Sequence, residues 1–360
     1  MSVINKRSYP LDFLKIVATI IIVLHHFQQN VNVVYDHSLN FWGSWFYWGY
    51  MVELFFLLSG YFMFKYIPKL QNEEITLAGW FSMRAKRLLP MVAITAIAYE
   101  VSILIYFLIT GTNWPYFGEV SIWGTLITML GIQEGWGLNN PGVNNPVWYV
   151  SVLLVCYVWF YIICALSKKL KCSPIYFFIG MIFLGFGIQT FGINLPFLTS
   201  QLGRGYYSFF FGLLLAAFLD KHGIGKRLCI TATALFISMV VLFVFFSQHA
   251  QKEPLVYLLT FLFFPSIVVL LETDFAKKIF SHEIWGTLGN VTFSVYLWHS
   301  PMFPLMYGFL ALCKITPDFS AKWTMYAFLA AACAIGAFSY FFIECPINRL
   351  IKKHSDKQKT

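Results

Sequence analysis

The chain has 360 residues, of which 59% are hydrophobic, 20% aromatic and only 11% charged. That balance is far more apolar and less charged than a soluble domain carries, and it identifies a polytopic membrane protein. A formal net charge of +9 could fit a nucleic-acid partner, but the cations collect in the loops on one side of the apolar runs, which excludes that class.

Ten runs are expected to span a bilayer as helices: 11–30, 44–64, 90–110, 147–166, 174–193, 203–219, 228–247, 254–271, 286–312 and 323–347. With Lys6 and Arg7 in the cytoplasm, so are Lys65, Lys69, Arg84, Lys86 and Arg87, then Lys168, Lys169 and Lys171, then Lys221, Lys226 and Arg227, then Lys277 and Lys278. Arg349, Lys352, Lys353, Lys357 and Lys359 of the tail join them, whereas Arg204, Lys252, Lys314 and Lys322 fall on the other side. The asymmetry implies an even number of spans with both termini cytoplasmic. The expected fold class is therefore all-α, about ten transmembrane helices in one integral membrane domain over 1–360, with a basic cytoplasmic tail at 348–360.

The first run, LDFLKIVATIIIVLHHFQQN, is interrupted by Asp12, Lys15, His25 and His26. Its length of roughly 30 Å matches the hydrocarbon core. Lys15 and His26 stand eleven residues apart, which puts them within about 20° of one face and roughly 16 Å apart along the axis. Asp12, Lys15, Thr19, Ile22 and His26 thus form one stripe, expected to face the bundle interior or a wet cavity. Two readings stay open: a buried reactive imidazole with a cation below it, or a snorkelling Lys15 with interfacial histidines. No small-residue cleavage site follows, and charges break the apolar core, so the run is expected to remain a transmembrane helix and not a signal peptide.

Glu53, in the second span, is either a cavity-facing functional group or the partner of a buried cation or histidine; Ser59 with Gly60 read as close helix packing. Arg84 and Arg87, in RAKRLLP, stand at i and i+3 on the expected first turn before span 90–110. Such a pair can clamp phosphates bidentately, although positive-inside decoration gives the same residues. Glu100 is a carboxylate in mid-span. The segment 111–146 contains a short apolar piece, 122–132, expected to lie in the interface or re-enter. NNPVW (144–148) opens the fourth span, and Arg204 stands at the outer end of the sixth, as an acceptor-side ligand or a helix-end anchor. Asn290, Ser294 and His299 follow at about a turn's spacing; His299 before Pro301 reads as the cap of a broken turn or as a cavity residue. The seven cysteines (Cys156, Cys164, Cys172, Cys229, Cys313, Cys333, Cys345) have no paired ligand spacing and imply neither a disulfide framework nor a metal site. Trp42, Trp45, Trp48, Trp114, Tyr116, Trp123 and Trp136 offer faces for sugar rings, as the aromatic belt of any membrane protein does.

Taken together, these residues resemble the acyltransferase-3 family of integral membrane acyltransferases. The resemblance rests on Lys15 and His26 ten residues between, and on Glu53 before Phe55, Phe56, Ser59 and Gly60. It continues through R-x-x-R (Arg84, Arg87) with Pro90, Arg204 before an aromatic and glycine-containing span, Y-L-x-H-x-P (Tyr296, Leu297, His299, Pro301) and a terminal E-x-P (Glu344, Pro346). It runs over about the whole chain, and it is the order of the elements that makes it specific. One departure matters: the family's W-x-x-x-x-E reads here as Trp148 and Leu153, without the carboxylate, which points to a subgroup and leaves its acceptor unassigned.

The resemblance implies transfer of an acyl group, most often acetyl, from cytoplasmic acyl-coenzyme A to a carbohydrate of the envelope or cell surface, in a bacterial plasma membrane. It implies His26 as the catalytic histidine, selected over His25 by spacing, with Lys15 and Glu53 as further candidate catalytic residues. Arg84, Arg87 and Lys15 become candidate donor contacts, and Arg204, His299 and Trp148 candidate acceptor contacts; no metal is expected. His26 would act as general base on a sugar hydroxyl or form a transient acyl-histidine. The competing class is a transporter or flippase of a lipid-linked sugar or small solute, for which ten helices and buried charges serve as well. Membrane lipids are the other expected partners, and no oligomeric state follows from the sequence.

Overall fold

The computed structural model describes residues 7–35, 38–40, 48–116, 120–136, 142–246 and 252–357. Lys6, Trp42, Trp45 and Lys359 lie outside these, as do the side chains of Trp48, Lys252 and Lys357. Among the described residues no strand forms; the elements are α1 (Tyr9–Val34), α2 (Met51–Met63), α3 (Ile67–Gln71), α4 (Leu77–Thr110), α5 (Ile122–Met129), α6 (Trp148–Lys169), α7 (Pro174–Phe191), α8 (Ser200–His222), α9 (Lys226–Phe246), α10 (Lys252–Leu258), α11 (Phe264–Leu271), α12 (Asp274–Ile279), α13 (Ile284–Trp298), α14 (Met302–Leu312), α15 (Lys322–Ser339) and α16 (Cys345–Lys357).

Eight helical stretches among the described residues are long and apolar enough to cross a membrane: Tyr9–Val34, Met51–Gln71, Leu77–Thr110, Asn145–Lys169, Pro174–Phe191, Ser200–His222, Lys226–Phe245 and Lys322–Lys353. The protein is an all-α polytopic membrane protein. These eight answer eight of the ten expected spans, and the other two are composite. The run 254–271 is made of α10 and α11 joined by a π-helical turn at Leu259–Phe263. The run 286–312 is broken: α13 ends at Trp298 and α14 starts at Met302. Pro301 has no N–H to donate and disfavours the helical conformation of the residue before it, so the chain turns at His299 and Ser300.

The structure also refines other parts of the chain. Helix α4 begins at Leu77, well before residue 90, because Arg84, Lys86 and Arg87 lower the apolar signal without breaking the helix. Its 34 residues extend about 51 Å against a hydrocarbon core of roughly 30 Å, so its basic end projects beyond the apolar layer and the arginines lie inside the helix and not before it. Within 111–146, α5 has eight residues, about 12 Å, too short to cross; Ile122 and Trp123 on it are exposed. The described part of the basic tail is helical, as α16.

The chain divides into two compact units. The first comprises Met1–Ala18, Trp42–Trp80 and Val155–Gly289. Its centre is α8, held against α2 where neither helix tolerates a side chain: a Cβ on Gly60 would run into the Phe209 carbonyl, and one on Gly212 into the Leu57 carbonyl. Small residues at such crossings let backbones meet in the absence of a hydrophobic drive between helices in lipid. The second comprises Thr19–Phe41, Phe81–Leu154 and Asn290–Thr360. There α13 lies on α15, with Gly336 facing Val295 too closely for a Cβ and Trp298 Nε1 donating to Ser339 Oγ at 2.7 Å.

Candidate active site

In the second unit, the polar residues of α1 and the end of α13 meet. His26 Nδ1 lies 2.7 Å from His299 Nε2, and the two rings are nearly parallel, 7° apart, with centroids at 4.9 Å. His299 is fully buried, whereas His26 is half-buried. His25, one residue back and therefore on another face of α1, is buried and tilted against His26 with centroids at 5.5 Å. The stripe below His26 is buried at Ile22, Thr19 and Asp12, as its spacing requires. Among the described residues no group of three His, Cys, Asp or Glu side chains converges as a metal cage.

The turn that carries His299 is fixed from two sides. The Tyr296 hydroxyl donates to the Pro146 carbonyl, and Asn144 Nδ2 donates to the Leu297 carbonyl at 3.3 Å. Asn144 adopts the left-handed conformation (φ 54°) that Asn tolerates better than most residues. The NNPVW segment therefore buttresses the histidine pair. Trp148, its last residue, is half-buried at the start of α6, and Leu153 is buried.

Arg84 and Arg87 also belong to this unit. Arg84 is 5% exposed, which is unusual for a cation, while Arg87 is open to solvent. Arg87 acts electrostatically on Glu344, which sits in a π-helical turn at Tyr340–Glu344 and accepts a 2.6 Å hydrogen bond from Ser294. Such turns are rare insertions in helices and often mark functional positions. Glu100 caps a neighbouring element, both its oxygens lying 3.2 Å from the Ser121 amide at the start of α5.

The candidate residues of the first unit are tied into ion pairs. Arg204 donates to Glu53 through Nε at 2.6 Å and Nη2 at 3.0 Å. Its Nη1 reaches Gln201 at 3.1 Å, and the Tyr207 hydroxyl stands 3.4 Å from the same carboxylate. The Glu53 side chain is fully buried and that of Arg204 is 20% exposed. Of the alternatives open for Glu53, the structure supplies the buried cation. Lys15 is 2.8 Å from Asp12 Oδ1, Arg7 is 2.7 Å from Asp12 Oδ2, and Lys15 Nζ also lies 4.6 Å from the Phe62 ring centroid. Arg7 further donates to the Gly286 carbonyl. Sequence reasoning missed Asp12 as the shared counter-ion, although its i,i+3 spacing to Lys15 was a usable signal. It also missed Gln201 and Tyr207, which no local pattern marks.

Of the aromatic residues, Trp123 is exposed, and Trp114 is buried against Tyr106 and Tyr307, centroids at 5.2 and 5.5 Å. The Tyr116 carbonyl accepts from the Tyr99 hydroxyl, and Trp136 donates to the Ser151 carbonyl.

A family model described as an acyltransferase domain matches residues 9–342. The peptidoglycan O-acetyltransferase OatA of Listeria monocytogenes is 24% identical over 373 residues, covering 96% of this chain and 56% of that protein. A putative O-acetyltransferase of Staphylococcus aureus is 21% identical over 383 residues, covering 94% of this chain and 57% of that one. The chain thus spans little more than half the length of the curated relatives it matches. No solved structure matches it.

Proposed function

Because the chain belongs to the acyltransferase-3 family, we propose that it moves an acyl group, acetyl in the first instance, from acyl-coenzyme A to a hydroxyl of a cell-envelope carbohydrate. The observation that carries the reading is the half-buried imidazole of His26, held by a second imidazole within an apolar helix. An unshielded polar group is costly at such depth, and one that persists there marks function. The name of the Listeria relative, a peptidoglycan O-acetyltransferase, favours a glycan acceptor in a bacterial plasma membrane.

In this reading the nucleotide phosphates rest on Arg84 and Arg87 at the cytoplasmic end, where Glu344 acts on Arg87 through charge alone. The pantetheine arm brings the thioester toward His26, so the charged donor never crosses the membrane. His26 takes the proton of the acceptor hydroxyl as its oxygen attacks the thioester carbonyl. The C–O bond forms, the C–S bond breaks, and the departing thiolate receives the proton from the imidazolium. Glu53 is unsuited to that task, because Arg204 occupies both its oxygens. Its part is to hold Arg204, together with Gln201, as a candidate acceptor contact. Lys15, paired with Asp12, contributes positive charge on the face of α1 that leads to His26, and Trp148 supplies an aromatic face to the acceptor.

The test is transfer of label from radiolabelled acetyl-coenzyme A to envelope glycan by the purified protein in lipid. Wild type should transfer; His26→Ala should lose about 10²–10⁴-fold, and Arg84→Ala with Arg87→Ala should lose donor binding. Full transfer by a folded His26→Ala protein refutes the assignment. Silence of the wild type with acetyl and longer acyl donors, with no donor binding, refutes the enzyme.

A further inference from the structure

We propose that His299 is a positioning residue that fixes the tautomer of His26, accepting a hydrogen bond from His26 Nδ1–H and so leaving the lone pair of His26 Nε2 as the basic position. The purpose of this arrangement rests on the acyl-transfer reading; the tautomer itself is a property of the two rings.

The argument is an account of one proton. His26 Nδ1 and His299 Nε2 are 2.7 Å apart, so one nitrogen donates and the other accepts. What decides between them is the far side of His299. Its Nδ1 is sealed from solvent and makes no hydrogen bond, as donor or as acceptor, to the described residues, and the Val295 carbonyl lies at the same turn, accepting from the His299 amide at 3.1 Å. The backbone groups acting on the ring are the carbonyls of Val295 and Tyr296, one turn back on α13. A lone pair on Nδ1 would face carbonyl oxygens in a buried site with no donor, which is a costly arrangement. A proton on Nδ1 is attracted by those same oxygens even without closing a full hydrogen bond, so it is the less costly of the two arrangements. His299 is then the Nδ1–H tautomer, its Nε2 is an acceptor, and the shared proton belongs to His26 Nδ1. Which nitrogen of an imidazole carries the proton is set by the bond the other nitrogen makes.

Three further observations fit a positioning role. His299 is buried and His26 is the more accessible ring, so one ring can meet a substrate while the other holds it. Among the described residues no carboxylate hydrogen-bonds either imidazole; the groups acting on His26 are His25 and His299, and His25 lies against it ring to ring. The turn before His299 is also over-determined. Val295 is pressed on Gly336, Tyr296 bonds Pro146, Leu297 bonds Asn144 and Trp298 bonds Ser339. A second imidazole can orient a base as a carboxylate does, but without adding a negative charge beside it.

The experiment uses the full chain in lipid bilayers, labelled with ¹⁵N-histidine, and reads ring protonation by solid-state NMR, with the His26 signals identified by their loss in His26→Gln. Wild type near neutral pH should give a neutral His26 with Nδ1 protonated and Nε2 bare. In His299→Phe that signal should pass to the Nε2–H tautomer, with kcat down by about 10²–10⁴-fold and the acyl-coenzyme A KM within about twofold; a wrong tautomer in a serine-protease triad costs about 10⁴ in kcat. His299→Gln, whose amide oxygen can accept the same hydrogen bond, should restore both the tautomer and most of the rate. A wild-type His26 protonated on Nε2, or a His299→Gln protein that keeps its donor KM but has lost the tautomer and the rate, overturns the proposal. If the wild-type tautomer is as stated and no acyl donor is turned over, the histidine pair stands and the enzymatic reading falls.

Discussion

The pair of Glu53 and Arg204 offers a quantitative check on what a buried charge does in this protein. Two charge-assisted hydrogen bonds, at 2.6 and 3.0 Å, join a fully buried carboxylate to a guanidinium whose side chain is 20% exposed. Removing one partner of such a pair leaves the other charge uncompensated in a site of low dielectric, at a cost of about 3–5 kcal/mol. Glu53→Gln alone should therefore destabilise the protein by about that much, and Arg204→Met alone should do the same from the other side. The double variant should cost far less than the sum, since no uncompensated charge remains and the Tyr207 hydroxyl and Gln201 still surround the site. The coupling should reach about 3 kcal/mol, the upper end of what neighbouring residues display. The assay is unfolding in mixed micelles of increasing SDS fraction, followed by tryptophan fluorescence, for the wild type, both single variants and the double. Single variants within about 1 kcal/mol of wild type, or a double variant whose loss equals the sum of the two, would refute the view of Glu53 as the fixed counter-ion of Arg204.

Helix crossings and the Glu344 site give two more tests. Gly60→Val puts a branched carbon where the Phe209 carbonyl already lies, so α2 and α8 must separate; the expected cost is at least about 1–3 kcal/mol, read as a lower unfolding midpoint. Gly180→Ala, on a face of α7 with nothing within 4 Å, should leave the midpoint at or slightly above wild type. Ser294→Ala deletes the 2.6 Å bond to the buried Glu344 and should cost about 1–3 kcal/mol. Because Glu344 acts on Arg87, Ser294→Ala should also raise the acyl-coenzyme A KM more than it lowers kcat.

What could be read from the sequence followed the physics of each signal. Apolar length found the spans, because a run of about twenty apolar residues has few fates outside a membrane. It failed where polarity and helicity part company: Arg84, Lys86 and Arg87 hid the first turns of α4, whose helix tolerates them on a projecting end. Pro301 announced the break after His299. Pro265 and Pro346, each two residues past a π-helical turn, at Leu259–Phe263 and Tyr340–Glu344, mark a missing amide donor in the same way, but the pattern does not say that the helix answers with a π turn and not with a break. The stripe on α1 was legible because eleven residues close three helical turns. The partners of its members were only partly so. Asp12 is within one turn of Lys15, but His26 and His299 are 273 residues apart and Glu53 and Arg204 151, and no periodicity relates residues on separate helices. Each was visible as a polar residue out of place; which one it would meet was not.

The nature of the partner, once seen, separates residues that sequence alone treats alike. Glu53, Asp12 and His26 are all ionisable groups in apolar helices. Glu53 and Asp12 each meet cations at 2.6–2.8 Å; both oxygens of each carboxylate are engaged, and protonation of either would weaken its ion pair. A general base needs the opposite condition: one unoccupied lone pair, and a partner that holds the ring without locking its charge. Among the described residues His26 meets that condition, because its hydrogen-bonded neighbour is an imidazole, which can orient it through one nitrogen and leave the other to the substrate. The groups that hold the helices together and the group proposed to do the chemistry therefore draw on the same few residue types, and the sign of the neighbouring charge tells them apart.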